Sequence, residues 1–523
     1  MTRRFWTPLM ILALAIAACT PAAPTTSPSA PSSPVIERAE NQSIKVGTSG
    51  NPTTMTPAYG FSNYFMITTI YDTLTTLGKD FTLQPAAATK WESSADGLTW
   101  TFTIRPDLKF SNGEAVTTED VAFSINEMLA KAWPARTFVN TATEARATGP
   151  TTVEVKTKSV DTSIPHGAMF LVIMPKKYYE QVGFEGFAAK PIGSGPWEMT
   201  SFSQDRIVLK KRAEHPFRRV TATELTFIAV PEHGQKINGL RTGDLDVTVP
   251  IAMTTDQITS AENGGLKFQI IRNAFIFVSI PQGTRELRNT PLKDVRVRQA
   301  LNYATDREAI SKSLYRGYAE PSGQLGIKGS QSWDPSVKPV YDPAMAKKLL
   351  AEAGYSNGFS NIVMMAANSQ NLGDLMLLLQ AQWKEVGINV TLDIIEANLY
   401  NDRQYGRNNT QKSDLVMSGA GDTNGFNTGN RVLDGCGRPI GGTPASLVYC
   451  NAEWDRLQDA AIAERDPAKR AQLLRDANKM MRDDAQGVPL YLPASFLVHS
   501  PKIAGMELEG YTQVTLDGIY RIK

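Results

Sequence analysis

A chain of 523 residues, 42% hydrophobic and 20% charged, has length for about three domains and an ordinary globular balance. Its 54 basic and 52 acidic residues are interspersed and leave a formal net charge of +2, which argues against a dedicated nucleic-acid surface. The four histidines, His166, His215, His233 and His499, include no pair at a metal-ligand spacing, and neither a P-loop nor a Gly-x-Ser-x-Gly segment occurs, so the common hydrolase chemistries have no foothold.

At the start of the chain Arg3 and Arg4 precede an apolar run over 9–18 and then Cys19. About ten apolar residues are too few to cross a hydrocarbon core, which takes roughly 20 in a helix, but they match a secretory h-region. Ile16-Ala17-Ala18-Cys19 resembles a bacterial lipobox, which implies cleavage before Cys19 and diacylglycerol on its thiol. An ordinary signal peptide with a chance cysteine is the alternative. Every residue of 20–34 is Thr, Pro, Ala or Ser, a composition that cannot build a core and favours an extended tether. The expected order is a leader over 1–18, a lipidated cysteine and tether over 19–35, and a globular body outside the cytoplasm, anchored to the membrane by lipid.

The body reads as α/β. Residues 44–47 form a short strand, and 100–104 alternate aromatic or apolar residues with threonine, a second strand. Thr117 stands three residues before Asp120 and ahead of 121–125, a capped helix start. Strands follow at 152–156 and 225–230. Asp294 precedes a helix over 295–304, and Asp306 one over 307–316 that stops at Gly317. Asp342-Pro343 opens a helix that Gly354 closes, and Asp466-Pro467 opens another in the same way. A helix over 375–386 ends at Gly387 and leads into a strand at 388–392, a unit of an α/β layer. No internal repeat of fixed period is present.

Of the three cysteines, Cys19 goes to the lipid and leaves Cys436 and Cys450. In an oxidising compartment these are expected to form a disulfide across a segment rich in glycine and proline, contributing about 3 kcal/mol in the chain-entropy model. Two free buried thiols are the alternative.

Several segments in fixed order carry a family resemblance: Trp91 to Phe102 with Asp96-Gly97 and Arg105, Phe110-Ser111-Asn112-Gly113, Thr118-Glu119-Asp120-Val121, Pro191-Ile192-Gly193-Ser194-Gly195-Pro196-Trp197, Asp294-Val295-Arg296-Val297-Arg298-Gln299-Ala300-Leu301 with Asp306-Arg307, Tyr341-Asp342-Pro343, and Tyr449 to Asp455. The series resembles family 5 of the bacterial extracellular solute-binding proteins, the peptide, dipeptide and nickel-type group. The resemblance implies an α/β, two-lobed periplasmic-binding-protein fold (type II, cluster C) with an extra subdomain inserted in the first lobe. Lobe one would be 36–72 with 190–272 and 486–523, the insertion 73–189, and lobe two 273–485, the chain crossing near Ala274 and Gln486. It also implies a protein that is not an enzyme and carries no cofactor or metal. Its task would be to capture a small solute by hinge closure for ABC permease subunits with their cytoplasmic ATPases. The chain is expected to be monomeric. A peptide or peptide-like solute leads; a non-peptide one (opine-like conjugate, glycoside or metal chelate) stays open, and a lipoprotein hydrolase or chaperone is the reading from another class.

The resemblance also suggests ligand contacts. Asp422, after Gly419-Ala420-Gly421, matches an aspartate that holds the ammonium of a peptide in relatives, although Ala420 stands where they carry tryptophan. A loop cap beside Asn424 and Gly425 is its bland alternative. Arg403 and Arg407 lie where some relatives place an arginine for a ligand carboxylate, and Tyr59, Phe61, Asn63 and Tyr64 where lobe one faces the cleft. Surface arginines and core aromatics are the commoner fates of such residues. Ser279-Ile280-Pro281 replaces an asparagine that many relatives set opposite the ligand. Arg296, Arg298, Asp306 and Arg307 sit at helical spacings and read as ion pairs or caps; Trp91, Trp100 and Phe102 read as subdomain core.

Overall fold

The described residues of the computed structural model are 37–58, 64–78, 82–272, 274–280, 290–368, 372–396, 399–400, 403, 413–421, 439–440, 443–444, 449, 451–509 and 513–523. Cys19, Cys436 and Cys450 fall outside them, and with them the expected lipidation site and disulfide. Arg38–Lys523 is one unit by its contacts.

Period-two burial builds the first strand, Ser43–Thr48, in which Ile44 and Val46 are both buried on one face. It lies centrally in a seven-stranded sheet of order Lys267–Ile271, Ser495–His499, Val247–Thr248, Ser43–Thr48, Glu224–Ala229, Arg206–Lys211, Trp197–Phe202. It runs parallel to both Glu224–Ala229 and Val247–Thr248. Between the first and later passes of this sheet the chain makes a four-stranded antiparallel sheet, Ala88–Ser93, Thr99–Ile104, Thr152–Thr157, Ala142–Ala147. Phe102, Ile104, Val153 and Val155 of this smaller sheet share one apolar cluster with Ile44, Val46 and Phe227 of the larger one, so the insertion is fused to the first lobe. Phe102 is fully buried there, as expected, while Trp91 and Trp100 pack against the cluster half-buried. The helix Thr118–Ala130 opens on a reciprocal cap. The Thr117 hydroxyl accepts from Asp120 N–H, and the Asp120 carboxylate accepts from Thr117 N–H.

The second lobe is a six-stranded sheet of order Glu320–Pro321, Gly487–Leu492, Ala274–Ser279, Leu415–Gly421, Phe359–Ala367, Ile388–Ile395. Ala274–Ser279 shows why it needs cover on both faces: Phe275 and Phe277 point into a cluster with Trp454, Ile276 and Val278 into another with Trp383. One expected boundary is corrected here. The expected division puts Gly487–Leu492 in lobe one, from Gln486 onward, but the strand pairs with Ala274–Ser279, matching Ser279 with Gly487 and Ile276 with Tyr491. All six of its residues are buried, as in an interior strand of a doubly covered sheet. The return crossing therefore lies at Pro493-Ala494, between Leu492 and Ser495.

Asp294, Asp306, Asp342 and Asp466 all accept first-turn N–H bonds at their helix starts. Arg296 pairs with Asp294 at 2.5 Å. Of the expected ion pairs or caps, the other two arginines take the capping role. Arg298 donates to the carbonyls of Leu292, Lys293 and Asp484. Arg307 donates to those of Asn302, Thr305, Val340 and Pro489. Both are buried where helix and strand ends leave backbone oxygens without donors, and a guanidinium fork meets several at once.

Candidate functional site

Strand directions locate the cleft. The first-lobe strands Ser43–Thr48, Glu224–Ala229 and Val247–Thr248 are parallel. Lys267–Ile271 points the same way, because it and Val247–Thr248 are both antiparallel to Ser495–His499. Their carboxyl ends thus lie at one rim, from which Ile271 leads across to lobe two. There Ala274 begins a strand antiparallel to Leu415–Gly421, with Ala274 opposite Gly421. Phe359–Ala367 is parallel to Leu415–Gly421 and to Ile388–Ile395. Three carboxyl ends of the second sheet therefore face the same crossing. Ligands of open α/β sheets bind outside carboxyl ends, and here two such rims meet.

Apolar clusters divide along the same line. Among the described residues they stay within one lobe or the other, except that Tyr318 of lobe two packs its ring on Phe268 and Phe496 of lobe one. Tyr318 also donates its hydroxyl to Glu262 at 3.1 Å, beside an Arg316–Glu262 ion pair at 2.8 Å. A second bridge joins the inserted subdomain to lobe two. The backbone N–H and hydroxyl of Thr162 both donate to Ile462 O at 2.8 Å, and Arg465 donates to Ala95 O and Ser94 O. Under this bridge burial, with Arg470 nearby, pulls the His166 imidazole down to about 4, so it is neutral at pH 7. Protonation favours states in which the ring is exposed, so this region weakens as pH falls from about 6.5 toward 4. Arg465→Ala is expected to increase the radius of gyration in solution scattering and to weaken solute binding by about 1 kcal/mol, roughly fivefold. Wild-type protein at pH 5 should expand in the same sense. Scattering and affinity equal to wild type at pH 7 would show that the bridge does not help close the body.

Of the residues expected to touch a ligand, Tyr59, Phe61, Asn63, Arg407 and Asp422 lie outside the described residues. The last described residue before Asp422 is Gly421, opposite Ala274 at the crossing. Arg403 is half-buried and pairs with Asp393, from the strand Ile388–Ile395, at 2.9 Å. Tyr64 begins the helix Tyr64–Ile70; its hydroxyl donates to Met169 O at 2.7 Å and its ring meets Phe170 at 5.0 Å, tying lobe one to the insertion. Burial holds its phenol well above the usual range. Ser279 sits at the end of its strand remote from the crossing, buried and bonded to Val416 O, so the substitution there does not bear on the cleft. A cavity of about 340 Å³ inside lobe two, lined by Tyr303, Leu325 and Met481, also reaches Gly487 and Pro489 at that remote end. Among the described residues no cluster could hold a metal ion, and no helix is long and apolar enough to cross a membrane.

Sequence reasoning passed over Lys236. It is fully buried on the helix His233–Thr242, and its ammonium donates to Ser49 Oγ at 2.8 Å. Burial lowers it to about 8. The signal was available: Lys236 stands beside Ile237 and four residues before Leu240, on the apolar stripe of the helix.

The family described as bacterial extracellular solute-binding proteins, family 5, middle region, matches residues 82–439. The glutathione-binding protein GsiB of Escherichia coli K12 is 25% identical over 486 residues, which span 88% of this chain and 91% of GsiB. The dipeptide-binding protein of Pseudoalteromonas sp. SM9913, solved with Met-Leu, superposes with a TM-score of 0.76 at 22% identity, covering 92% of this chain and 100% of that one. MoaA of A. tumefaciens R10, solved with mannopinic acid, gives 0.73 at 24% identity with the same coverages. The fold is thus the two-lobed periplasmic-binding-protein arrangement with an inserted subdomain, and the chain belongs to family 5 of the bacterial extracellular solute-binding proteins.

Proposed function

We propose that this protein captures a small peptide or peptide-like solute between its two lobes and presents it to the permease of an ABC importer, without catalysing a reaction. The observation that carries the reading is the meeting of two carboxyl-end rims at a two-strand crossing, in a chain of this family. Lobes with separate apolar cores can rotate apart at small cost, and a solute that contacts both favours the closed state. In this reading lobe one comprises 36–72, 190–272 and 493–523, the insertion 73–189, and lobe two 273–492. Export and tethering through a diacylated Cys19 would hold a monomer at the membrane surface, outside the cytoplasm.

Asp422 is the anchor for a ligand ammonium, and Arg403, once released from Asp393, a partner for a carboxylate. Mass spectrometry of solute released from purified protein by mild denaturation should reveal a peptide or peptide conjugate. Asp422→Asn is expected to weaken its binding by about 2 kcal/mol, close to thirtyfold, in calorimetry. An unchanged affinity removes Asp422 from the site. The likeness to MoaA favours one second reading, an opine-like conjugate, which predicts indifference to peptides of any length.

A further inference from the structure

One charged group in lobe one has no structural partner equal to its cost. The Lys236 ammonium is fully buried in the first turn of a helix, where the macrodipole disfavours a cation. It forms no ion pair among the described residues; its bonds go to Ser49 Oγ at 2.8 Å and, at 3.5 Å, to Pro231 O. Glu232, four residues before it at the helix start, attracts the ammonium without bonding it, and a buried charge bonded only to a hydroxyl and a distant carbonyl is costly. Its position is specific. Ser49 follows the carboxyl end of Ser43–Thr48, and the helix of Lys236 follows the carboxyl end of Glu224–Ala229, so both stand on the first-lobe rim of the cleft. Helical side chains lean toward the helix N-terminus, which carries this ammonium toward that rim.

Ser49 itself is exposed, and beyond it a Cβ on Gly50 would meet nothing within 4 Å. Because Ser49 Oγ accepts from Lys236, its own hydroxyl proton is free to point outward, polarised by the charge behind it. Two residues on, the Asn51 amide nitrogen is buried without an acceptor among the described residues, while Asn51 Oδ1 accepts from Thr48 Oγ1 at 2.8 Å. A hydroxyl backed by an ammonium and an amide nitrogen lacking its acceptor, on one three-residue turn, lack the same thing: an anionic oxygen.

The geometry points to Ser49, backed by Lys236 and flanked by Asn51, as the first-lobe recognition point for a carboxylate on the captured solute. The assignment rests on the solute-binding reading above and adds the chemical class of the group that lobe one selects. No bond is made or broken; the carboxylate accepts the Ser49 proton and the Asn51 N–H, and the buried ammonium stabilises the negative charge through the serine.

The test is calorimetry at pH 7 with glutathione, mannopinic acid and di- to pentapeptides including Met-Leu, the peptides both as free acids and as C-terminal amides. Wild-type protein is expected to bind the free acid about tenfold or more tighter than the amide, the scale of one charge-assisted hydrogen bond. Ser49→Ala and Lys236→Met should each cut that preference severalfold, Arg403 of the other lobe holding the remainder, while binding the amide nearly as wild type does. Lys236→Met should also melt no lower than wild type, because an isosteric apolar chain relieves the buried charge. A merely structural lysine would give the opposite: a lower melting temperature and equal losses for acid and amide. That result, a preference undiminished in both variants, or equal binding of acid and amide by wild type overturns the assignment and leaves solute binding standing. Binding of none of these solutes overturns both.

Discussion

Arg307→Ala should lower the stability of lobe two by about 3–5 kcal/mol, the scale for uncoupling a buried, fully bonded charge from its partners. The side chain is buried, and burial lowers its pKa to about 10, so it stays charged at pH 7. It donates to four backbone carbonyls, from Asn302, Thr305, Val340 and Pro489, and to the Asn302 side chain. Alanine leaves all of these acceptors without their donor and opens a cavity beside a strand interior to the sheet. Because the apolar clusters of the lobes are distinct, urea unfolding should show an early transition for lobe two and little change for lobe one. Arg307→Lys keeps the charge but not the planar fork and should recover only part of the loss. A shift below about 1 kcal/mol for the alanine variant would mean that water replaces the guanidinium.

Gly193→Ala should cost about 3 kcal/mol, and in the other lobe. A Cβ at this position would sit 1.9 Å from Ile70 O, and one on Gly195 would sit 2.6 Å from Thr69 O. Neither obstacle is a flexible side-chain end. Gly195 N–H bonds to Ile70 O and Gly193 O accepts from Ser111 N–H, so the chain is pinned on both sides where it returns from the insertion to lobe one. The Gly-Ser-Gly segment is therefore a close backbone crossing and no nucleophile elbow. Circular dichroism melting should resolve the loss, and a variant that melts with wild type would show that this crossing can relax by sliding.

The elements that were legible in the sequence are those fixed locally. Thr117 with Asp120, and the aspartates before the later helices, satisfy orphan N–H groups within a few residues, so spacing suffices to find them. What depends on partners distant in sequence was harder to read. The apolar run Gly487–Leu492 announces a strand but not which sheet receives it, so a lobe boundary near Gln486 and one after Leu492 fit the sequence equally, and only the pairing with Ala274–Ser279 favours the second. Arg307 stands between Asp306 and Glu308 in the sequence and Arg298 four residues after Asp294, and only the folded backbone reveals that carbonyls accept their hydrogen bonds. The cleft is a property of strand direction, which no single segment encodes. Lys236 stood on an apolar stripe in plain view, but its meaning depends on Ser49, 187 residues away in the chain.

The two passages between the lobes have a mechanical consequence. Ile271 is paired with Ser495 on one side of the gap and Ile276 with Tyr491 on the other, so the outgoing and returning chains travel side by side. Such a ribbon flexes across its flat face but resists sliding lengthwise, because sliding would break ladder bonds at both ends together. The molecule then behaves like a book on one narrow spine, with a single soft axis and covers that cannot slip past each other. Stiffening either strip alone, for instance with proline in place of Ala494, would change how freely both covers swing.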